Sequence, residues 1–154
     1  YTKRALYYRD GKQWQQVIKE INKGYSPFYT VDQTAIPLKF YSGVAKYSLK
    51  DYSHAINDFI DAKEHSPYNV HVLNNLGSTY FNTKKYSEAI QSYKELLTYY
   101  PWFSEAAANL AVAYIQNGKL DEAIELLQHD TIGADRKNEI INYLKSIGVA
   151  LSTG

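Results

Sequence analysis

Apolar residues along the chain fall at helical spacing, and that spacing itself recurs. Within 70–103, Leu73, Leu76, Gly77 and Tyr80 share one face of a first helix, Ala89 and Tyr93 one face of a second, and Pro101 closes the segment. Shifted by 34 residues the pattern returns: Gly43, Gly77 and Ala111 align, as do Ala55, Ala89 and Ala123, and Pro67 and Pro101. A fixed period of this length predicts stacked helical hairpins. The small residues let the two helices of a hairpin approach closely. Tyr80, Tyr86 and Tyr93 then supply broad rings to fill the wedge between helices.

Taken in order, 1–35 reads as a degenerate first unit. Ala5 and Tyr8 match Gly77 and Tyr80, Asp10-Gly11 breaks the helix, and Trp14, Val17, Ile18 and Ile21 form the stripe of a second helix ending near Lys23-Gly24. The connection from Tyr25 to Ala35 is longer than later ones by about four residues, an insertion tolerated at a repeat junction. The next unit, 36–69, admits Pro37 in the first turn of its helix and packs through Ala55, Phe59 and Ala62. Asn69 is placed to cap the helix that opens 70–103. In 104–137, Leu110, Ala111, Tyr114, Gly118, Ala123 and Leu127 keep the register, but Asp135 stands where Pro is expected, so the period predicts no geometry for the loop 131–136. The remainder, 138–154, predicts a final amphipathic helix whose Ile140, Ile141, Leu144 and Ile147 face back as an end cap. All of 1–154 thus forms one domain.

The sequence of Leu, Leu-Gly, Tyr, Ala, aromatic and Pro, nearly complete in 70–103, resembles the tetratricopeptide repeat. The resemblance implies an all-α fold: a right-handed solenoid of antiparallel helix pairs, with about three full repeats, a degenerate N-terminal repeat and a C-terminal capping helix. It also implies that the first helix of each pair lines a concave surface, where the family usually holds extended peptides. Here that surface comprises Phe40, Tyr41, Val44 and Tyr47, then His71, Asn74, Asn75, Ser78, Phe81 and Asn82, then Glu105, Ala108, Asn109, Val112 and Gln116. Asn75 and Asn109 occupy equivalent places. In family members that grip a peptide by its backbone, an Asn there makes the hydrogen-bond ladder; the alternative is a bond within the solenoid. Phe40 and Tyr41 either take apolar side chains of a peptide or lie beneath the Tyr25 to Ala35 connection. The cationic clamp of chaperone-binding relatives is absent, since Pro37, Phe40, His71, Asn74, Glu105 and Ala108 hold its places.

Composition narrows the function further. A net charge of +1 argues against a general polyanion binder. The charge is uneven, with nine Lys or Arg against three Asp or Glu in 1–50 and eight against thirteen in 51–154, which reflects either chance or a partner or membrane surface near the N-terminus. Lys3, Arg4, Arg9, Lys12 and Lys19 form no stripe along the groove, so no nucleic-acid partner is expected. The chain has no Cys, and His54, His65, His71 and His129 show no metal-binding spacing, so no metal and no cofactor are expected. Asp121, Glu122 and Glu125 sit where a helix dipole favours carboxylates, and no nucleophile motif or phosphate loop appears. The chain reads as non-catalytic, with a protein or peptide partner. The absence of Met, even at position 1, points to an excised fragment, and no apolar run is long enough for a span, so any membrane tether would lie upstream.

A second resemblance concerns the run from Ser66-Pro67-Tyr68-Asn69 to Tyr80, preceded by Asp58-Phe59 and Ala62. It is similar to repeat tails that follow the membrane domain of O-antigen ligase or polymerase proteins in Bacteroidetes-like bacteria. Trp14 and the Ser26-Pro27-Phe28-Tyr29 segment resemble the lead-in to such tails. Two functions follow: an interaction scaffold that binds an extended peptide or partner subunit in its groove, or the extracytoplasmic accessory tail of such a membrane enzyme. The second implies the periplasmic side of a bacterial inner membrane, the first a cytoplasmic home.

Overall fold

Each hydrophobic stripe finds its complement in the next helix along the chain. The computed structural model describes residues 1–26, 30–32 and 34–149; the expectations on Pro27, Phe28 and Tyr29 and on 150–154 lie outside them. Nine helices occur among the described residues: α1 (Thr2–Asp10), α2 (Trp14–Gly24), α3 (Leu38–Ser48), α4 (Tyr52–His65), α5 (Val70–Asn82), α6 (Tyr86–Tyr99), α7 (Ser104–Gln116), α8 (Leu120–Gln128) and α9 (Ala134–Ser146). Neighbours in sequence pack together from α1 through α8, and the odd-numbered helices also touch one another, α1 with α3, α3 with α5, α5 with α7 and α7 with α9. The odd helices therefore line the inner face of an all-α solenoid and the even helices its outer face.

What sits against each small residue is a side chain, not backbone. A Cβ built on Gly43 would lie 2.7 Å from Phe59 Cε1, and one on Gly77 would lie 2.6 Å from Tyr93 Cε1. Both pairs are sixteen residues apart, and the same offset joins Ala111 to Leu127 and Ala5 to Ile21 within shared core clusters. Where the first helix carries Gly the second brings an aromatic ring, and where it carries Ala the second brings an aliphatic chain. Volume is conserved across the crossing, as a close-packed interior requires.

The turns repeat a backbone device. Lys12, Lys50, Lys84, Gly118 and Gly148, each just past the first helix of its unit, have φ of 54°, 62°, 61°, 75° and 84°. A left-handed residue there ends one helix and aims the chain back along it. Asn69 caps α5, its Oδ1 accepting from the N–H groups of His71 (3.0 Å) and Val72 (3.2 Å). Pro37 lies just before α3 rather than in its first turn, paired with Val31 in an isolated bridge. The connection is pinned by buried Asp32, whose Oδ1 accepts from Thr34 N–H (2.8 Å) and Ile36 N–H (3.0 Å) and whose Oδ2 accepts from the Tyr41 hydroxyl (2.6 Å).

The C-terminal end departs from the period. The outer helix α8 has 9 residues where α4 and α6 have 14, and α9 begins at Ala134, thirty residues after the start of α7 at Ser104. A unit boundary between 137 and 138 therefore falls inside α9. Asp135 lies in the first turn of α9, where the helix dipole favours a carboxylate, and no Pro is needed to stop a helix that has already ended. Ile132 is buried in the intervening turn, and Gly133 N–H donates to Ser104 Oγ at 2.9 Å. Ile140 and Leu144 pack with Ala107, Ala108, Ala111, Ala123 and Leu127, with Ile141 partly buried beside them. Ile147 does not face the stack: it is 50% exposed.

Candidate functional site on the inner face

Much of the polar equipment of the inner face is bonded internally. Asn74 Nδ2 donates to Glu105 Oε1 (2.8 Å) and ties α5 to α7; Asn82 Nδ2 donates to the Tyr47 hydroxyl (2.9 Å) and ties α5 to α3. Asn75 Nδ2 donates to the carbonyl of His71 one turn back (2.8 Å), and Ser78 Oγ and Tyr93 OH share a hydrogen bond (3.1 Å). Each such bond contributes about 0.5 to 1.5 kcal/mol and would have to be exchanged for any ligand contact.

Between α3, α5, α7 and α9 lies a depression of about 260 Å³. Tyr47, Ser78, Phe81 and Asn82 form one side, Asn109, Val112 and Arg136 the other, with Tyr93 at its base. A second hollow of about 270 Å³, lined by Val112, Gln116, Arg136, Glu139 and Tyr143 among others, shares Val112 and Arg136 with the first, so the two form one trough. Its size suits individual side chains rather than a drug-sized molecule. Asn109 makes no side-chain hydrogen bond among the described residues, whereas Arg136 Nη1 donates to Glu139 Oε2 at 2.6 Å. A guanidinium has five N–H groups, so this bond leaves most of its capacity open.

Of the residues expected on the inner face, Tyr47, Ser78, Phe81, Asn82, Asn109, Val112 and Gln116 come together in this trough. Tyr41 does not join them. It is 5% exposed, packed in one core cluster with Ala5, Val17 and Ile21 of the first hairpin, and its hydroxyl is held by Asp32. Ala108 is also core, at 2% exposure. Phe40 is half-buried, its ring 5.6 Å from Tyr41, 6.1 Å from Phe59 and 6.3 Å from His71, and Val44 packs on the cluster of Ala55, Phe59 and Leu76. Asn74 and Asn75 lie away from the trough with their amide N–H groups engaged, so the equivalence of Asn75 and Asn109 in sequence is broken in hydrogen bonding.

The sequence model of the tetratricopeptide repeat family matches residues 83–132. Among solved structures, MamA superposes with a TM-score of 0.72 at 20% identity over 98% of this chain and 76% of its own. The chain folds as a tetratricopeptide-repeat solenoid. The first tetratricopeptide domain of Spaghetti, bound to the HSP90 peptide SRMEEVD, follows at a TM-score of 0.64 and 20% identity over 77% of this chain and 97% of its own. YrrB, described as a tetratricopeptide-repeat protein with an unusual peptide-binding site, gives 0.70 at 16% identity over 88% of this chain and 64% of its own. No curated protein matches the sequence.

In this tetratricopeptide-repeat solenoid, sequence reasoning missed Arg136, Glu139 and Tyr143, all on α9 and all lining the trough. The signal was present: Gly133 followed by Ala134-Asp135 is a helix start with an acidic first turn. Larger hollows of about 450 and 370 Å³ lie on the outer face, one around Leu76, Tyr80 and Glu88, the other around Leu110, Tyr114 and Glu122. These positions are one repeat apart, so the hollows are the regular gap between successive outer helices, a property of the repeat and not of a site. Burial pushes the Tyr93 phenol up to about 12. Burial also raises Tyr47, reinforced by Tyr52 and opposed by the Asn82 amide. Both phenols keep their protons at neutral pH. Tyr47 accepts from Asn82, which leaves its own O–H to donate. The trough therefore offers donors from Tyr47, Asn109 and Arg136 beside the apolar surfaces of Phe81 and Val112.

Proposed function

We propose that the protein is a non-catalytic interaction scaffold that holds an extended segment of a protein partner along its inner face. One side chain of that segment enters the depression between Tyr47, Asn109 and Arg136, and Asn109 bonds its main chain. The observation that carries this reading is the unspent amide of Asn109 beside an open hollow, on a face where the amide N–H groups of Asn74, Asn75 and Asn82 already have partners. The peptide held by Spaghetti's first domain and the peptide-binding site named for YrrB support the same class of ligand. Phe81 and Tyr47 take apolar side chains, and the Phe40 end contributes less because Tyr41 beneath it is core.

A peptide library screened against the chain, followed by titration of the best binder, tests the assignment. Asn109→Ala should weaken binding by about two- to tenfold, the loss of one hydrogen bond, whereas Asn75→Ala should leave it nearly unchanged. Equal affinity of both variants and the wild type for every peptide found would sink the role of Asn109. A second reading, the extracytoplasmic tail of an O-antigen ligase-like membrane protein, rests on the run from Ser66 to Tyr80. Among the described residues no helix is long and apolar enough to cross a membrane, so that reading requires membrane-spanning segments encoded elsewhere.

A further inference from the structure

Away from the inner face, one edge of the solenoid carries a cluster of aromatic rings, of which only Tyr100 also packs on the core. The turns Ser66-Pro67-Tyr68-Asn69 and Tyr100-Pro101-Trp102-Phe103 are one repeat apart, and Tyr68 and Trp102 hold the same repeat position. Trp102 is 75% exposed, Tyr68 59% and Tyr99 41%. Single exposed apolar residues need no explanation, but these are arranged. The rings of Tyr68 and Tyr99 meet at 4.7 Å and 78°, those of Tyr100 and Trp102 at 6.3 Å and 90°. The Tyr100 hydroxyl donates to the carbonyl of Tyr68 at 2.7 Å and ties one turn to the next.

We propose that this edge docks a proline-rich segment of a partner protein in the polyproline II conformation, independently of whatever the inner groove binds. Two perpendicular rings make a corner with an aromatic wall and floor, which accommodates a compact pyrrolidine ring. Among the described residues no hydrogen bond takes up the hydroxyls of Tyr68 and Tyr99 or the indole N–H of Trp102, so the edge presents donors. A polyproline II chain presents the complement: carbonyls without internal partners, no N–H at each proline, and a conformation set in advance. The segments 66–69 and 99–104 contain no Lys, Arg, Asp or Glu. A nucleic acid or an anionic membrane would find no cation here. Within these turns a glycan would find no carboxylate, the flanking Glu105 is engaged by Asn74, and the Asn69 side-chain oxygen is occupied in capping α5.

The test is fluorescence anisotropy of a labelled polyproline peptide of about ten residues, titrated with the full chain, beside a Gly-Ser peptide of equal length. Saturable binding is expected for the polyproline peptide only. Trp102→Ala combined with Tyr99→Ala should weaken it about tenfold or more, while Asn109→Ala leaves it unchanged. Should the double variant lose helicity, Trp102→Ala alone decides, since that ring is three-quarters exposed. The proposal is overturned by absence of saturable polyproline binding, by equal affinity in the Trp102 variant, or by Trp102-dependent binding of a neutral maltooligosaccharide or of phosphatidylcholine vesicles in its place.

Discussion

Gly77→Ala sets two effects of opposite sign against each other. In an exposed helix interior the change would stabilise by about 1 kcal/mol, because alanine loses less backbone freedom on folding. Here the added methyl lies 2.6 Å from Tyr93 Cε1 and 2.9 Å from Cδ1. The ring cannot swing aside: Tyr93 is 2% exposed and its hydroxyl is bonded to Ser78. Overpacking a filled site costs about 1 to 3 kcal/mol and a clash with a fixed ring falls at the upper end, so the steric term wins by roughly 1 to 2 kcal/mol. For a chain of this size that lowers the thermal midpoint by about 2 to 8 °C. Tyr93→Leu alone should cost about 2 to 4 kcal/mol through the cavity it leaves. The double variant Gly77→Ala with Tyr93→Leu recreates the Ala111 and Leu127 pair of the next repeat, and should lose at least about 1 kcal/mol less than the two single changes together. Calorimetric or circular-dichroism melts of the four proteins measure the coupling. Additive losses, or a Gly77→Ala midpoint at or above wild type, would refute the pairing of small residue and ring.

At the turns, Lys84→Gly should raise the unfolding midpoint, because relief of the left-handed strain, about 1 to 2 kcal/mol, exceeds the extra flexibility of glycine. Gly118→Ala should lower the stability by about 1 kcal/mol although its Cβ would touch nothing within 4 Å; a neutral result in both urea titrations would remove the backbone argument. For Asp32, burial pushes the carboxyl pKa up, but the Tyr41 and Thr34 hydroxyls and the N–H groups of Ile36 and Thr34 outweigh it and hold the value below the ordinary one. A depressed folded-state pKa contributes stability that is complete above the unfolded value of about 4 and disappears as pH falls through the folded one. Asp32→Asn should therefore show a flatter loss of stability below about pH 4 than wild type, and identical acid limbs would contradict the assignment.

The hairpins were legible in the sequence because their cause is local and periodic. Gly43, Gly77 and Ala111 mark a contact that every unit must make, and the structure places a ring or a leucine against each. Hydrogen bonding was less legible. Asn75 and Asn109 sit at the same repeat position, yet one amide bonds the His71 carbonyl and the other bonds nothing among the described residues. Periodicity specifies where a side chain emerges, but not which neighbour claims its polar atoms. Tyr41 shows the same limit from the other direction. Its repeat position predicts the inner face, but its ring packs with Ala5, Val17 and Ile21 of the degenerate first hairpin, and its hydroxyl is taken up by Asp32, in a connection with no counterpart in the other units.

The shortened α8 joins these points to the site. Had the 34-residue period continued, the first helix of the last unit would have begun at Asn138, and Arg136 would have stood in a loop before it. Instead α8 ends at Gln128, α9 starts at Ala134, and Arg136 lies in its first turn, facing the trough beside Asn109 and Val112. The departure that conceals Arg136 from a reading by period is thus the one that gives the groove a cation. Its consequence for recognition is directional. The Tyr47 end offers a phenol and aromatic surface, while the α9 end offers a guanidinium partly engaged by Glu139, so an extended segment lying across the trough meets different chemistry at its two ends. Hydrogen bonds to charged groups are the stronger ones, and the N–H groups of Arg136 not spent on Glu139 stay open to a carboxylate of such a segment. On the proposed reading, Arg136 favours one orientation of the bound segment over the reverse, and the unengaged amide of Asn109 adds a main-chain bond without breaking one inside the solenoid.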